Sequence, residues 1–310
     1  MEKKNESSVA EFLLLGLSED PSMQIVLFIF FLVLYMVTIF GNIFLITVCV
    51  CDPHLHTPMY FFLANLSFID ICYSTVIVPN LLNQLIVTRR MSFSGCATQM
   101  YTYLFLGCTE SMLLSVMAYD RYIAITFPLR YTVIIRRSSC MILMCGCWLI
   151  GSVMALLDTT FALQLPLCGN NVIDHFFCEA MTLLKMACVD TFIPQIMFFA
   201  VGSFVLLIPS LVILISYIRI IITIMAIRTA AGRYKAFSTC SSHLVVVIIL
   251  YGTTMFLYMK PVSKNVDNQE KVVSVFYTVM PPMMNPLIYS LRNKDVKVAL
   301  KKVIWSDIHH

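Results

Sequence analysis

The sequence predicts an all-α membrane protein, a seven-transmembrane helix bundle with a short amphipathic C-terminal helix. Three observations carry that expectation. Of 310 residues, 59% are hydrophobic and only 12% charged, against about 25% charged in soluble proteins, so lipid is the main solvent. Uncharged runs fall at 21–51, 53–69 continuing after Asp70 to 88, 91–109 continuing after Glu110 to 119, 138–157, 191–218, 236–259 and 272–291. Each is long enough to cross a hydrocarbon core, which takes about 20 residues of helix. The third observation is charge placement: with the N-terminus outside, the inner segments collect 13 of the 21 Lys and Arg, as the positive-inside rule requires.

The whole chain, 1–310, reads as one domain. Residues 1–23 form an extracellular tail, and spans follow at about 24–50, 57–85, 96–125, 138–162, 194–226, 236–260 and 271–290, with 291–310 cytoplasmic. No short basic signal peptide precedes the first span, which therefore reads as a signal anchor. Asn5-Glu6-Ser7 is a glycosylation sequon on the outer tail. The expected location is a plasma membrane, crossed several times.

Taken in order, the first span carries one strong amide, Asn42, beside Gly41. In lipid an amide wants a partner on another helix. Thr57-Pro58 suits the start of the second span, because proline fits the first helical turn. Asp70 lies midway along that span, and Glu110 lies in the third. Carboxylates at membrane depth need cations, protons or each other. Antiparallel neighbours place the two acids at similar depth, so they read, with Asn42 and Asn285, as a polar cluster for a sodium ion or a proton. The alternative is two protonated, hydrogen-bonded acids.

The third span ends in Met117-Ala118-Tyr119-Asp120-Arg121-Tyr122-Ile123-Ala124-Ile125. Asp120 can neutralise Arg121 at the membrane boundary, a latch whose opening frees a donor-rich guanidinium at the inner mouth. The bland alternative is a snorkelling Arg with a counter-ion.

Of 12 cysteines, Cys96, Cys168, Cys178 and Cys188 lie outside, where disulfides form and four thiols allow three pairings. A bridge from Cys96 would clamp the outer loop over the bundle mouth. That loop also holds His175-Phe176-Phe177-Cys178-Glu179, whose imidazole, thiol and carboxylate suit a soft metal unless the cysteine is in a disulfide. No metal is expected.

The fifth span contains Pro209 and ends at Ser216-Tyr217, and the sixth opens with Lys235–His243. Pro281-Pro282-Met283-Met284-Asn285-Pro286-Leu287-Ile288-Tyr289 kinks the seventh, freeing carbonyls. Asn285 and Tyr289 can change partners as that kink changes, which makes a switch. Residues 292–305 alternate basic and apolar at helical spacing, reading as a helix on the inner leaflet.

These blocks resemble the odorant receptors, rhodopsin-like G-protein-coupled receptors. The matches are Leu55–Tyr60, Met117–Ile125 with Pro128, Leu129 and Tyr131, Ser216-Tyr217, Lys235–His243 and Pro282–Asn293. The resemblance implies a Cys96–Cys178 bridge, a Cys168–Cys188 bridge, Asp70 with Glu110 as the ion or proton site, and Arg121 at the G-protein contact. Asp120, Tyr122, Tyr217, His243 and Tyr289 join Arg121 as switch and coupling residues. Thr126 stands where the family usually has Cys, Met284 where Leu is commoner, and Tyr251 where the wider class has Trp.

Helical spacing from these anchors points Tyr103, Leu104, Gly107, Cys108, Val201, Gly202, Val205, Tyr251, Thr254, Tyr258, Val275 and Thr278 into a pocket in the outer third. The set is mostly apolar with a few hydroxyls and no charge, suiting a small, weakly polar volatile. An amine would want a carboxylate where Tyr103 stands. Retinal would want a lysine, and none lies between Val272 and Leu291. The expected partners are an odorant, a stimulatory olfactory-type G protein raising cAMP, and lipid, with no nucleic acid. A transporter is disfavoured because no internal repeat is visible. An enzyme is disfavoured because no His-Glu-x-x-His, Gly-x-Ser-x-Gly or phosphate-cradling loop occurs.

Overall fold

The computed structural model describes residues 11–167, 171–189, 191–259, 268–292 and tail positions 296, 298 and 299, without the side chains of 235, 239, 257–259, 268–270, 291 and 292. In chain order the helices are α1 (Pro21–Cys51), α2 (Pro58–Ile86), α3 (Phe93–Thr126), α4 (Tyr131–Ile134), α5 (Arg137–Leu163), α6 (Ala180–Met186), α7 (Phe192–Ala226), α8 (Ala230–Met259) and α9 (Asn268–Arg292). Seven are long. Of these, α1, α2, α5, α7 and α8 are apolar enough by length and composition to cross a membrane. The other two, α3 and α9, bury polar residues such as Glu110, Asp120 and Asn285.

Local chemistry starts the helices. Pro21 and Pro58 occupy the first turns of α1 and α2, where a missing N–H costs nothing. The Asp20 carboxylate accepts from the Ser22 N–H at 3.1 Å, and the Ser92 hydroxyl accepts from the Gly95 N–H at 3.0 Å. Both satisfy donors that a helix start leaves open. The faces of α1, α5 and α7 expose rows of Ile, Leu, Val and Phe, such as Ile25, Phe40, Leu149, Phe199 and Leu211. Such a surface is untenable in water and belongs in lipid.

The buried centre is α3, which packs on α2, α5 and α7 and touches α8. Gly151 of α5 makes the α3 contact tight: a Cβ there would come within 3.0 Å of the Phe105 carbonyl and 3.1 Å of the Thr109 N–H. Gly41 plays the same part where α1 meets α9, with Pro286 Cγ 3.2 Å from its missing Cβ. Small residues let helix backbones approach in membranes, where lipid offers no hydrophobic drive.

The prolines create docking points. Pro286 cannot donate, so the Pro282 carbonyl one turn back has no helical partner. The Asn42 amide donates to that carbonyl at 3.0 Å. Asn42 was expected in the acidic cluster; it is bonded instead to this freed carbonyl.

At the disulfide end the chain departs from all-helical form. β1 (Glu11–Leu14) pairs antiparallel with β2 (Arg90–Ser92) and parallel with β3 (Val172–Ile173). Phe12 and Leu14 are buried at 1% and 0% exposure, the period-2 pattern of a half-buried strand. Residues 11–14 of the expected outer tail are thus a strand that staples the loop to the bundle. The expected C-terminal amphipathic helix lies mostly outside the described residues, as does Asn5.

Candidate functional site

Near the disulfide end the helices leave a cavity of about 500 Å³. Cys96 at the head of α3 is bonded to Cys178, 82 residues later, with Cα atoms 5.3 Å apart. That bond draws the loop between α5 and α7 across the cavity. Two glutamine amides hold the loop in place: Gln84 donates to the Phe176 carbonyl at 2.9 Å, and Gln99 accepts from the Cys178 N–H at 3.0 Å. Cys188 is also disulfide-bonded; Cys168, its expected partner, lies outside the described residues.

Tyr103, Leu104, Gly107 and Cys108 line the cavity from α3, Val201, Gly202 and Val205 from α7, and Tyr251 and Thr254 from α8. The four-residue steps from Tyr103 through Gly107 to Ser111 put all three on one helical face. Val275 and Thr278 do not line it. The Thr278 hydroxyl is spent on the Ser274 carbonyl at 2.6 Å, and α9 presents Ser274 and Tyr277 instead. Tyr258 lies on α8, but its side chain is outside the description.

The expectation of a chargeless cavity is overturned. Glu110, Asp158, Glu179 and Lys185 line it. Glu110 faces the floor from α3, and Asp158 turns inward from α5 at 5% exposure. Glu179 and Lys185 arrive from the loop and α6, whose course helical spacing does not predict. Asp158 had a legible signal: it ends the uncharged run 138–157.

His175 packs face to face on Phe176 and edge-on to Phe177, each at 4.7 Å between centroids. Its Nε2 lies 3.3 Å from the Ser274 hydroxyl and 3.7 Å from the Glu179 carboxylate. Burial, with Lys271 and Lys185 nearby, pushes this imidazole down to about 3. The Cys178 sulfur is committed to its disulfide, so the three-ligand metal reading of this loop loses one ligand.

Below the cavity the Tyr251 hydroxyl lies 2.8 Å from the Ser111 hydroxyl and donates to the Ser111 carbonyl at 3.0 Å. Sequence reasoning missed Ser111, although it neighbours Glu110. Midway, Asn285 donates to both Asp70 carboxylate oxygens at 3.1 and 3.0 Å. Glu110, 2% exposed, bears on Asp70 through its charge. The three expected cluster residues therefore meet, tying α2, α3 and α9 together.

At the opposite end lie Asp120 and Arg121, the expected latch. Asp120 accepts a hydrogen bond from the Tyr131 hydroxyl of α4 at 2.8 Å. Arg121 is 5% exposed, and its charge acts on Asp120, Cys240, Tyr217, His243 and Tyr289. Tyr217 donates to His243 Nδ1 at 2.8 Å and stacks on its ring, while His243 Nε2 donates to the Leu114 carbonyl at 3.0 Å. These contacts hold α8 against α3 and α7. Tyr122 is half-buried and meets Phe127 edge-on.

Residues 31–307 match the family described as olfactory receptor. The chain belongs to the olfactory receptor family. Human olfactory receptor 2D2 is 50% identical over 304 residues, covering 98% of each chain. Human olfactory receptor 13C2 is 47% identical over 311 residues with the same coverage. Mouse olfactory receptor 5AR1 is 47% identical over 305 residues, again covering 98% of each. As an olfactory receptor the chain is a multi-pass, seven-helix G-protein-coupled receptor of sensory transduction, with odorants as ligands and a G protein as partner. That family is a receptor class and not an enzyme class.

Proposed function

We propose that this olfactory receptor binds a small, mostly apolar volatile in the cavity beneath the Cys96–Cys178 loop and activates a stimulatory olfactory-type G protein, raising cAMP. In this reading the cavity and the N-terminus face outward from a plasma membrane, and the Asp120–Arg121 end faces the cytoplasm. The observation that supports it most is Tyr251, which lines the cavity and is hydrogen-bonded to Ser111. A ligand pressing on Tyr251 acts directly on the α3–α8 contact. At the other end of those helices, His243 bridges Tyr217 and Leu114. Movement of α8 strips that bridge and opens a gap beside Arg121, into which the G-protein α subunit docks. Ligand need favour the open arrangement by only a few kcal/mol to shift the population.

The Asp70–Glu110–Asn285 cluster serves in this proposal as a sodium or proton site whose occupancy favours the closed arrangement. The decisive experiment is an odorant panel on cells carrying the full chain and a cAMP reporter. The receptor responds to at least one odorant, and Arg121→Ala abolishes the response at equal surface expression. An unchanged response in that variant refutes the role given to Arg121.

A further inference from the structure

Asp158 is the group that no part of the signalling geometry uses. It lies on α5 at 5% exposure and lines the cavity, and its Oδ1 has no hydrogen-bond partner among the described residues. Its charge acts on the Cys108 thiol of the neighbouring α3. A buried carboxylate oxygen without a donor is costly, and at membrane depth such acids mark sites that recognise a cation or a proton. The other two acids lining the cavity each have a polar neighbour to answer to. Glu110, whose Oε1 also has no hydrogen-bond partner among the described residues, faces Asp70 and Asn285, and Glu179 sits 3.7 Å from His175.

We infer that Asp158 is the ligand-recognising carboxylate of this receptor, and that its preferred odorants carry a protonated amine on a small apolar body. The inference rests on the proposal that odorants enter this cavity. An ammonium supplies both what Asp158 lacks, an opposite charge and N–H donors. The apolar body then lies on Val201, Val205 and Leu206 of α7. The carboxylate that an amine ligand needs is thus supplied by α5 and not at Tyr103.

The test uses three compounds of nearly one shape: cyclohexylamine, cyclohexanol and methylcyclohexane. Binding to the purified full-length receptor is followed by thermal stabilisation, and signalling by the cAMP reporter. Cyclohexylamine is expected to bind at least about ten-fold more tightly than cyclohexanol, the margin of one charge-assisted hydrogen bond. Asp158→Asn should erase that margin. Asp158→Glu, which keeps the charge, should retain most of it and guards against a folding defect in the amide variant. Cyclohexylamine binding that is absent, or equal in wild type and Asp158→Asn, overturns the inference; a cyclohexanol response in the same cells would leave the receptor proposal standing. Amine binding that depends on Asp158 without any cAMP response supports the inference and counts against the proposed coupling.

Discussion

The Ser111 hydroxyl of α3 donates to the Val205 carbonyl of α7 at 2.9 Å, the carbonyl that Pro209 deprives of its helical donor. Proline in a helix removes the bond to the residue four positions back, and here a neighbouring helix takes that vacancy. Ser111 also holds Tyr251, so three helices meet at one hydroxyl beneath the cavity. Ser111→Ala leaves the Val205 carbonyl without a donor while the Tyr251 phenol keeps the backbone carbonyl of residue 111, and such a loss costs about 1–3 kcal/mol. The expected result is a lower melting temperature of the purified receptor and weaker odorant efficacy. Tyr251→Phe keeps the ring and loses only the hydroxyl. It should therefore shift odorant potency by up to about ten-fold with a smaller effect on melting.

The same logic operates where α1 meets α9. Asn42 donates to the Pro282 carbonyl, left open by Pro286. Interhelical hydrogen bonds in membranes contribute about 0.6–2 kcal/mol, so Asn42→Ala should destabilise the receptor by that amount. Pro286→Ala restores an N–H able to bond Pro282 within α9. The double variant should then lose less than the sum of the two single losses, as measured by a double-mutant cycle on melting. Strict additivity would show that Asn42 acts elsewhere.

The helices and the polar pairs were legible in the sequence because membranes impose simple rules: long uncharged runs, and acids that must find partners. Asp70, Glu110 and Asn285 meet as expected, since depth along antiparallel helices can be counted. What was not legible depended on loop course and on which turn of a helix reaches the cavity. The strand at Glu11–Leu14 pairs with segments some 80 and 160 residues away, and no local pattern reports such pairing. Thr278 shares a helical face with Ser274, which does line the cavity, but its hydroxyl is spent on the Ser274 carbonyl, and Glu179 and Lys185 come from a loop and a short helix without periodic signal. Asp158 was visible as an acid closing an uncharged run, yet its side chain turns inward for reasons only packing supplies.

Tyr131 holds Asp120 at 2.8 Å, and burial beside that carboxylate pushes the phenol well above its usual range. It therefore remains a donor throughout physiological pH. Tyr131→Phe removes the donor and leaves a 2%-exposed carboxylate whose nearest cation is Arg121, one residue on. Asp120 should then restrain Arg121 more strongly. Odorant-evoked cAMP should fall several-fold at unchanged surface expression, and basal cAMP should not rise. A rise in basal signal would show that the Tyr131 bond itself is the restraint.

His175 ties the disulfide loop to pH. Its imidazole, 2% exposed, titrates at about 3 in the folded protein because of burial and the charges of Lys271 and Lys185. An unfolded histidine titrates near roughly 6.5. Glu179, 3.7 Å away, pulls the other way, but burial and two lysines outweigh it. Between the two values the unfolded chain binds a proton that the folded chain refuses, so stability rises with pH through this window and levels off above about 6.5. Acidification from pH 7 to 5 should lower the melting temperature of wild type. His175→Gln keeps a polar side chain that does not titrate, so its melting temperature should fall less over the same range. The difference between the two curves isolates this one group from every other acid and base. Parallel curves would mean that the imidazole accepts its proton without disturbing the packing of Phe176 and Phe177 over the cavity.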